Sequence, residues 1–104
     1  MVQIKWTRQG IGDLKGIAEY ISKDSVQYAK LQVLRIKSRI KILKSHKKIG
    51  RKVPEFERLE IRELIEGNYR IIYKIVSPSQ IDILTVHHSA RDLSRREIKF
   101  RKVK

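Results

Sequence analysis

The chain has 104 residues, 40% hydrophobic and 35% charged, which suits one domain with a modest core. It carries 25 Lys and Arg against 11 Asp and Glu, a formal net charge of +14 that attracts polyanions or an acidic protein. With no cysteine, disulfides, thiolate metal sites and a cysteine nucleophile are excluded, and no apolar run reaches the ~18 residues of a membrane span.

The opening segment, MVQIKWTRQG, has no long apolar run, so neither a signal peptide nor a membrane anchor is expected, and a cytoplasmic location follows by default. Residues 2–6 alternate apolar and polar side chains, as a short half-buried strand does. Thr7 then offers a hydroxyl to cap a helix that buries Ile11, Leu14, Ile17, Ala18 and Ile21. Gly10, Gly12 and Gly16 weaken that helix, each by up to about 1 kcal/mol relative to alanine. Ser25 caps a second helix, in which Val26, Ala29, Val33, Ile36, Ile40 and Leu43 recur at spacings of three and four. Lys37, Lys41, Lys44 and Lys48 line another face of it, and a lysine row of this kind reads first as a solvated face.

Residues 46–58 form a polar linker, after which the pattern turns to strands. Segments 59–65, 69–76 and 81–87 read as three strands, separated by turns at Glu66-Gly67-Asn68 and at SPSQ. The middle segment is apolar on both faces, as a central strand is. The expected fold is α+β: a helical hairpin on one face of a small, mainly antiparallel sheet, in the order β-α-α-β-β-β. Residues 1–94 would form the domain, and 95–104 a basic C-terminal tail or short helix. The second sheet face is expected to be open.

The segment Thr85-Val86-His87-His88-Ser89-Ala90-Arg91-Asp92-Leu93 holds two of the three histidines. Strict strand alternation sends them to opposite faces, His88 with Leu84 and Val86, and His87 with Ile81, Ile83 and Thr85. They therefore cannot act as a pair, and His88 is the candidate for the open face. No helical HxxxH spacing, G-x-S-x-G elbow or dinucleotide-type glycine pattern occurs, so no metal and no cofactor are expected. What remains is a basic set around the sheet: Arg51, Lys52, Arg58, Arg62, Arg70, Lys74 and Arg91. Arginines beside one histidine suit metal-free phosphodiester cleavage, in which they stabilise charge on the phosphoryl oxygens. The same arginines could equally pair with strand glutamates such as Glu60 or Glu63. Both readings stand at this level.

Ile4-Lys5-Trp6-Thr7, Gly50-Arg51 with Val53-Pro54-Glu55, Ile61-Arg62-Glu63-Leu64, Tyr69-Arg70-Ile71-Ile72-Tyr73 and Val86-His87-His88-Ser89-Ala90-Arg91-Asp92-Leu93 occur in an order that resembles the RelE/ParE superfamily over residues 2–94. The resemblance implies the toxin of a type II toxin–antitoxin pair, neutralised by a small, acidic, wrapping antitoxin. It also implies one of two mechanisms. ParE-like members block DNA gyrase and are not enzymes; RelE-like members cut mRNA on the ribosome. In a RelE-like chain Arg62, Arg70, His88 and Arg91 would be catalytic, and Arg51, Lys52, Arg58 and Lys74 would bind nucleic acid or the target. Leu93 and Ser94 stand where the nucleases often carry a tyrosine, and the GRxVPE and IREL pieces look closer to ParE. The expectation is thus a ParE-like toxin. The alternatives are a RelE-like nuclease and a non-toxic nucleic-acid-binding module.

Overall fold

The computed structural model describes residues 2–89. Strand β1, Gln3–Trp6, runs directly into helix α1, Arg8–Ser22, with Thr7 as its cap: the Thr7 hydroxyl accepts from the Gly10 amide at 3.0 Å. Helix α2, Val26–Lys41, is capped in the same way by Ser25, which accepts from the Tyr28 amide at 3.1 Å. It continues into a single 3-10 turn, Ile42–Lys44. The remaining strands are β2 (Arg51–Lys52), β3 (Ile61–Glu66), β4 (Tyr69–Ser77) and β5 (Gln80–His88).

The five strands lie in the order β1-β5-β4-β3-β2. β1 runs parallel to β5, and the other pairings are antiparallel. The α+β order expected from sequence is therefore present, with β4 central. One strand is added: the two-residue β2 lies inside the linker, too short to show any periodicity. The expected C-terminal helix or tail lies outside the described residues.

The helical hairpin covers one sheet face. Ile36 and Ile40 of α2, with Leu43, pack on Leu64 of β3, Ile71 and Tyr73 of β4, and Ile81, Ile83 and Val86 of β5. Burying each such side chain is worth about 1.5–3 kcal/mol. α1 comes down onto β5 at Gly10, where an added Cβ would lie 2.8 Å from the Ile83 carbonyl oxygen. This glycine, read from sequence only as a weakness, is what permits the close approach.

The opposite face is not left open, as the sequence suggested. Val53 and Phe56 fold over Ile61, Ile72 and Leu84 and form a second, smaller core. Two apolar residues in a charged linker give no periodic signal, so this cover was invisible beforehand.

β5 carries a bulge. Tyr73 pairs with Ile83 and Ile72 with Thr85, leaving Leu84 as the extra residue. The first turns of α1 hold it: the Thr7 hydroxyl lies 2.8 Å from the Ile83 carbonyl and 3.0 Å from that of Leu84. The Asp13 carboxylate accepts from the Thr85 hydroxyl and, at 3.2 Å, from the Val86 amide. Past the bulge the alternation is inverted. Ile81 and Ile83 face the helices before it, and Val86 does so after it. His87 therefore lies across from Arg70, and His88 across from Tyr69.

Tyr73 fixes the start of β2. Its hydroxyl donates to the Lys47 carbonyl at 2.8 Å and accepts from the Gly50 amide at 3.0 Å. A Cβ on Gly50 would lie 2.5 Å from that hydroxyl and 2.7 Å from the Glu63 carbonyl oxygen, so only glycine fits.

Two substitutions test these anchors by urea denaturation. Asp13→Ala leaves the Thr85 hydroxyl and Val86 amide without their acceptor and should cost about 1–3 kcal/mol. Gly50→Ala forces Tyr73 or β3 to move and should cost about 1–3 kcal/mol.

Candidate functional site

The site residues converge where β4, β3, β2 and the 53–60 segment meet. Arg70 is buried on β4, on the side of the sheet away from the helices. Its Nε donates to Glu63 Oε1 at 2.5 Å, while Nη1 and Nη2 grip Glu55 Oε2 and Oε1 at 2.7 and 2.8 Å. Glu63, fully buried, also accepts from Nε of Arg51 at 2.6 Å. Four charges thus form a neutral chain, Arg51–Glu63–Arg70–Glu55, running from the surface into the protein and out again. The forked contact between Arg70 and Glu55 is the strong, planar form of the ion pair.

The electrostatics follow from this geometry. The Arg70 hydrogen bonds hold the Glu55 carboxyl down at about 2, against the ordinary 4.5, with burial opposing and His87 adding a smaller push the same way. Arg70 is held protonated well above its usual range, first by Glu55 and then, against burial, by Glu63. Burial raises the Tyr73 hydroxyl. The Glu60 carboxyl is lowered by a backbone hydrogen bond of its own and then by Arg58, which lies 2.6 Å away.

Among the described residues no three His, Cys, Asp or Glu side chains converge as a group that could hold a metal ion, and no helix is long and apolar enough to cross a membrane. The chain matches the family model described as the ParE toxin of the type II toxin–antitoxin system, parDE, over residues 4–93. The chain belongs to the ParE toxin family. A solved structure, the chromosomal ParDE toxin–antitoxin system from P. aeruginosa, matches with a TM-score of 0.68 and 25% identity, covering 85% of this chain and 96% of that one. No curated protein matches.

The toxin's fold scatters the residues that sequence reasoning grouped as catalytic. Arg62 pairs across β3–β4 with Tyr73, on the sheet side opposite Arg70. Its Nη1 donates to the Gly50 carbonyl at 3.0 Å, and its Nε is buried with no hydrogen-bond partner among the described residues. His88 is placed on the helix side, not with Leu84: the bulge turned it there, where its ring meets Tyr69 edge-on at 5.4 Å. The histidine on the Arg70 side is His87, which is buried. Arg91 lies outside the described residues.

Of the proposed binding residues, Arg51 and Arg58 are engaged by Glu63 and Glu60 respectively. Lys52 is exposed on β2, and Lys74 is half-buried on β4, on the Arg70 side. Sequence reading gave Glu55 no role, although it ends the quoted Val53-Pro54-Glu55 piece. Its partnership with Arg70 spans fifteen residues and leaves no local trace.

Arg70 acts here as a strut rather than as an open anion site. Removing it leaves Glu63 buried beside Arg51 alone, so Arg70→Ala should cost about 3–5 kcal/mol in denaturant titration. Replacing the inner pair together, Arg70→Met with Glu63→Leu, should recover most of that loss. Acid titration supplies a second check. Because Glu55 titrates lower in the fold than unfolded, its contribution is complete above about pH 4.5 and is lost as pH falls towards about 2. Thermal melts of Glu55→Gln should lose less stability across that window than those of the unaltered chain.

Proposed function

We propose that this type II toxin arrests growth by acting on DNA gyrase, without cutting RNA. The observation that carries this reading is the engagement of Arg70. Three of its five N–H donors are held by Glu55 and Glu63, and a phosphate could reach it only by displacing a bidentate carboxylate. A nuclease needs that arginine free for the phosphoryl oxygens in the transition state. Arg62, on the opposite face, cannot join it, and the match to the ParE family model supports the same branch.

A cognate antitoxin belongs with this reading. Between α1 and α2 lies a largely apolar groove of about 530 Å³, lined by Ala18, Ser22, Val26, Ala29, Val33 and Leu34 together with the charged Glu19 and Lys30. Val26 and Leu34 are more than half exposed although nothing polar about them favours water. An amphipathic acidic segment that folds on binding would bury these side chains and offset part of the +14 charge.

Purified toxin should inhibit supercoiling of relaxed plasmid by gyrase, and its induction in cells should damage DNA while translated mRNA stays intact. Cuts in mRNA mapped to the ribosomal A site would overturn the gyrase reading. Leu34→Asp should weaken binding of the antitoxin encoded beside the toxin by tenfold or more, about 1.4 kcal/mol, in calorimetry.

A further inference from the structure

The acidic residues are unevenly placed. From residue 25 to residue 54 the chain has ten lysines and arginines and not one aspartate or glutamate. That stretch comprises α2, the 3-10 turn and β2. Elsewhere, five of the nine carboxylates among the described residues are engaged within the chain: Asp13 on the β5 bulge, Glu55 and Glu63 on Arg70, Glu60 on Arg58, Asp82 on Gln80.

Lys30, Lys37, Lys41 and Lys44 are exposed and spaced seven, four and three residues apart, which places them along one side of α2 and its continuation. At 1.5 Å per residue the stripe is about 21 Å long. Among the described residues none of the four forms an ion pair. Like charges at i, i+4 and i, i+3 destabilise a helix, and the helix dipole offsets this only at Lys41, in the last turn. Salt screens this repulsion in part, and a polyanion lying along the stripe relieves it further.

We propose that this lysine stripe is a binding site for the phosphate backbone of duplex DNA. Duplex DNA presents one negative charge per about 1.7 Å of axis, so a 21 Å stripe faces about a dozen phosphates, more than enough for four ammonium groups. A single strand is bound chiefly by stacking on aromatic side chains, and the stripe has none; Tyr28 lies about 200° round the helix from Lys30. Duplex RNA carries the same phosphates on a different helix geometry, so tighter binding to a matched RNA duplex than to the DNA duplex overturns the choice of DNA. The contact is sequence-independent, because lysines at this spacing meet phosphates and not base edges. It is independent of gyrase, since it involves DNA alone.

The test is fluorescence anisotropy of the full chain with a labelled DNA duplex of roughly 24 base pairs and arbitrary sequence, as salt rises from about 50 to 200 mM. Four neutralised phosphates make affinity fall about 10²-fold over that range. Lys37→Ala and Lys41→Ala should each weaken binding and lower the salt slope by about one. Lys5→Ala, on β1, should leave the slope unchanged, and circular dichroism verifies that all three variants are folded. Slopes indifferent to Lys37 and Lys41, or no binding at the lowest salt, overturn the proposal. Tighter binding to single-stranded RNA or to polyglutamate than to the duplex also overturns it, and assigns the stripe to that partner class instead.

Discussion

Thr7 and Asp13, two polar residues in the first turns of α1, hold the extra residue in β5, and the arrangement beyond it depends on that grip. Thr7 does three things with one hydroxyl group: it ends β1, caps α1 and reaches the carbonyls of the bulge. Asp13 meets the bulge from the next turn of the same helix. With the bulge in place, β5 presents Ile81 and Ile83 to the hairpin and then, after the switch, Val86. Without it, either His87 or the buried isoleucines would face the wrong way. The strand is stapled by the helix it supports.

The second organising element is a division of charge. A protein with 25 cationic residues has few carboxylates to deploy, and two of them are committed to burying one arginine. A buried ion-pair chain contributes little net stability compared with apolar packing, but it is intolerant of losing one member. Here it fastens the 53–60 segment over β3 and β4, so that Val53 and Phe56 can close the small second core. The surface of α2, by contrast, has no carboxylate of its own to set against its lysines and arginines.

Much of this architecture is legible in the sequence, because the signals are local. Thr7 and Ser25 are read as caps from their side chains, α2 from its apolar spacing, and β4 from its β-branched and aromatic run. The order of elements, with the quoted motifs, reaches the family. What escaped depends on contacts distant in the chain. The bulge is maintained by residues more than seventy positions away, so simple alternation put His88 on the wrong face. The Glu55–Arg70 fork joins a turn to a strand, and the choice between a free and an engaged arginine could not be made from residue types alone. Gly10 shows the same limit: propensity counts its cost to the helix but not the carbonyl of β5 beneath it.

The parallel pairing of β1 with β5 joins residues 3–6 to residues 80–83. During synthesis the first strand leaves the ribosome with no neighbour to pair with, and Thr7 has no bulge to hold. Helices α1 and α2 can form early as a local hairpin, and β3, β4 and β5 pair as successive hairpins, but β1 joins only through contacts of high sequence separation that close slowly. Translation must pass residues 80–83 before residues 3–6 have a strand to join.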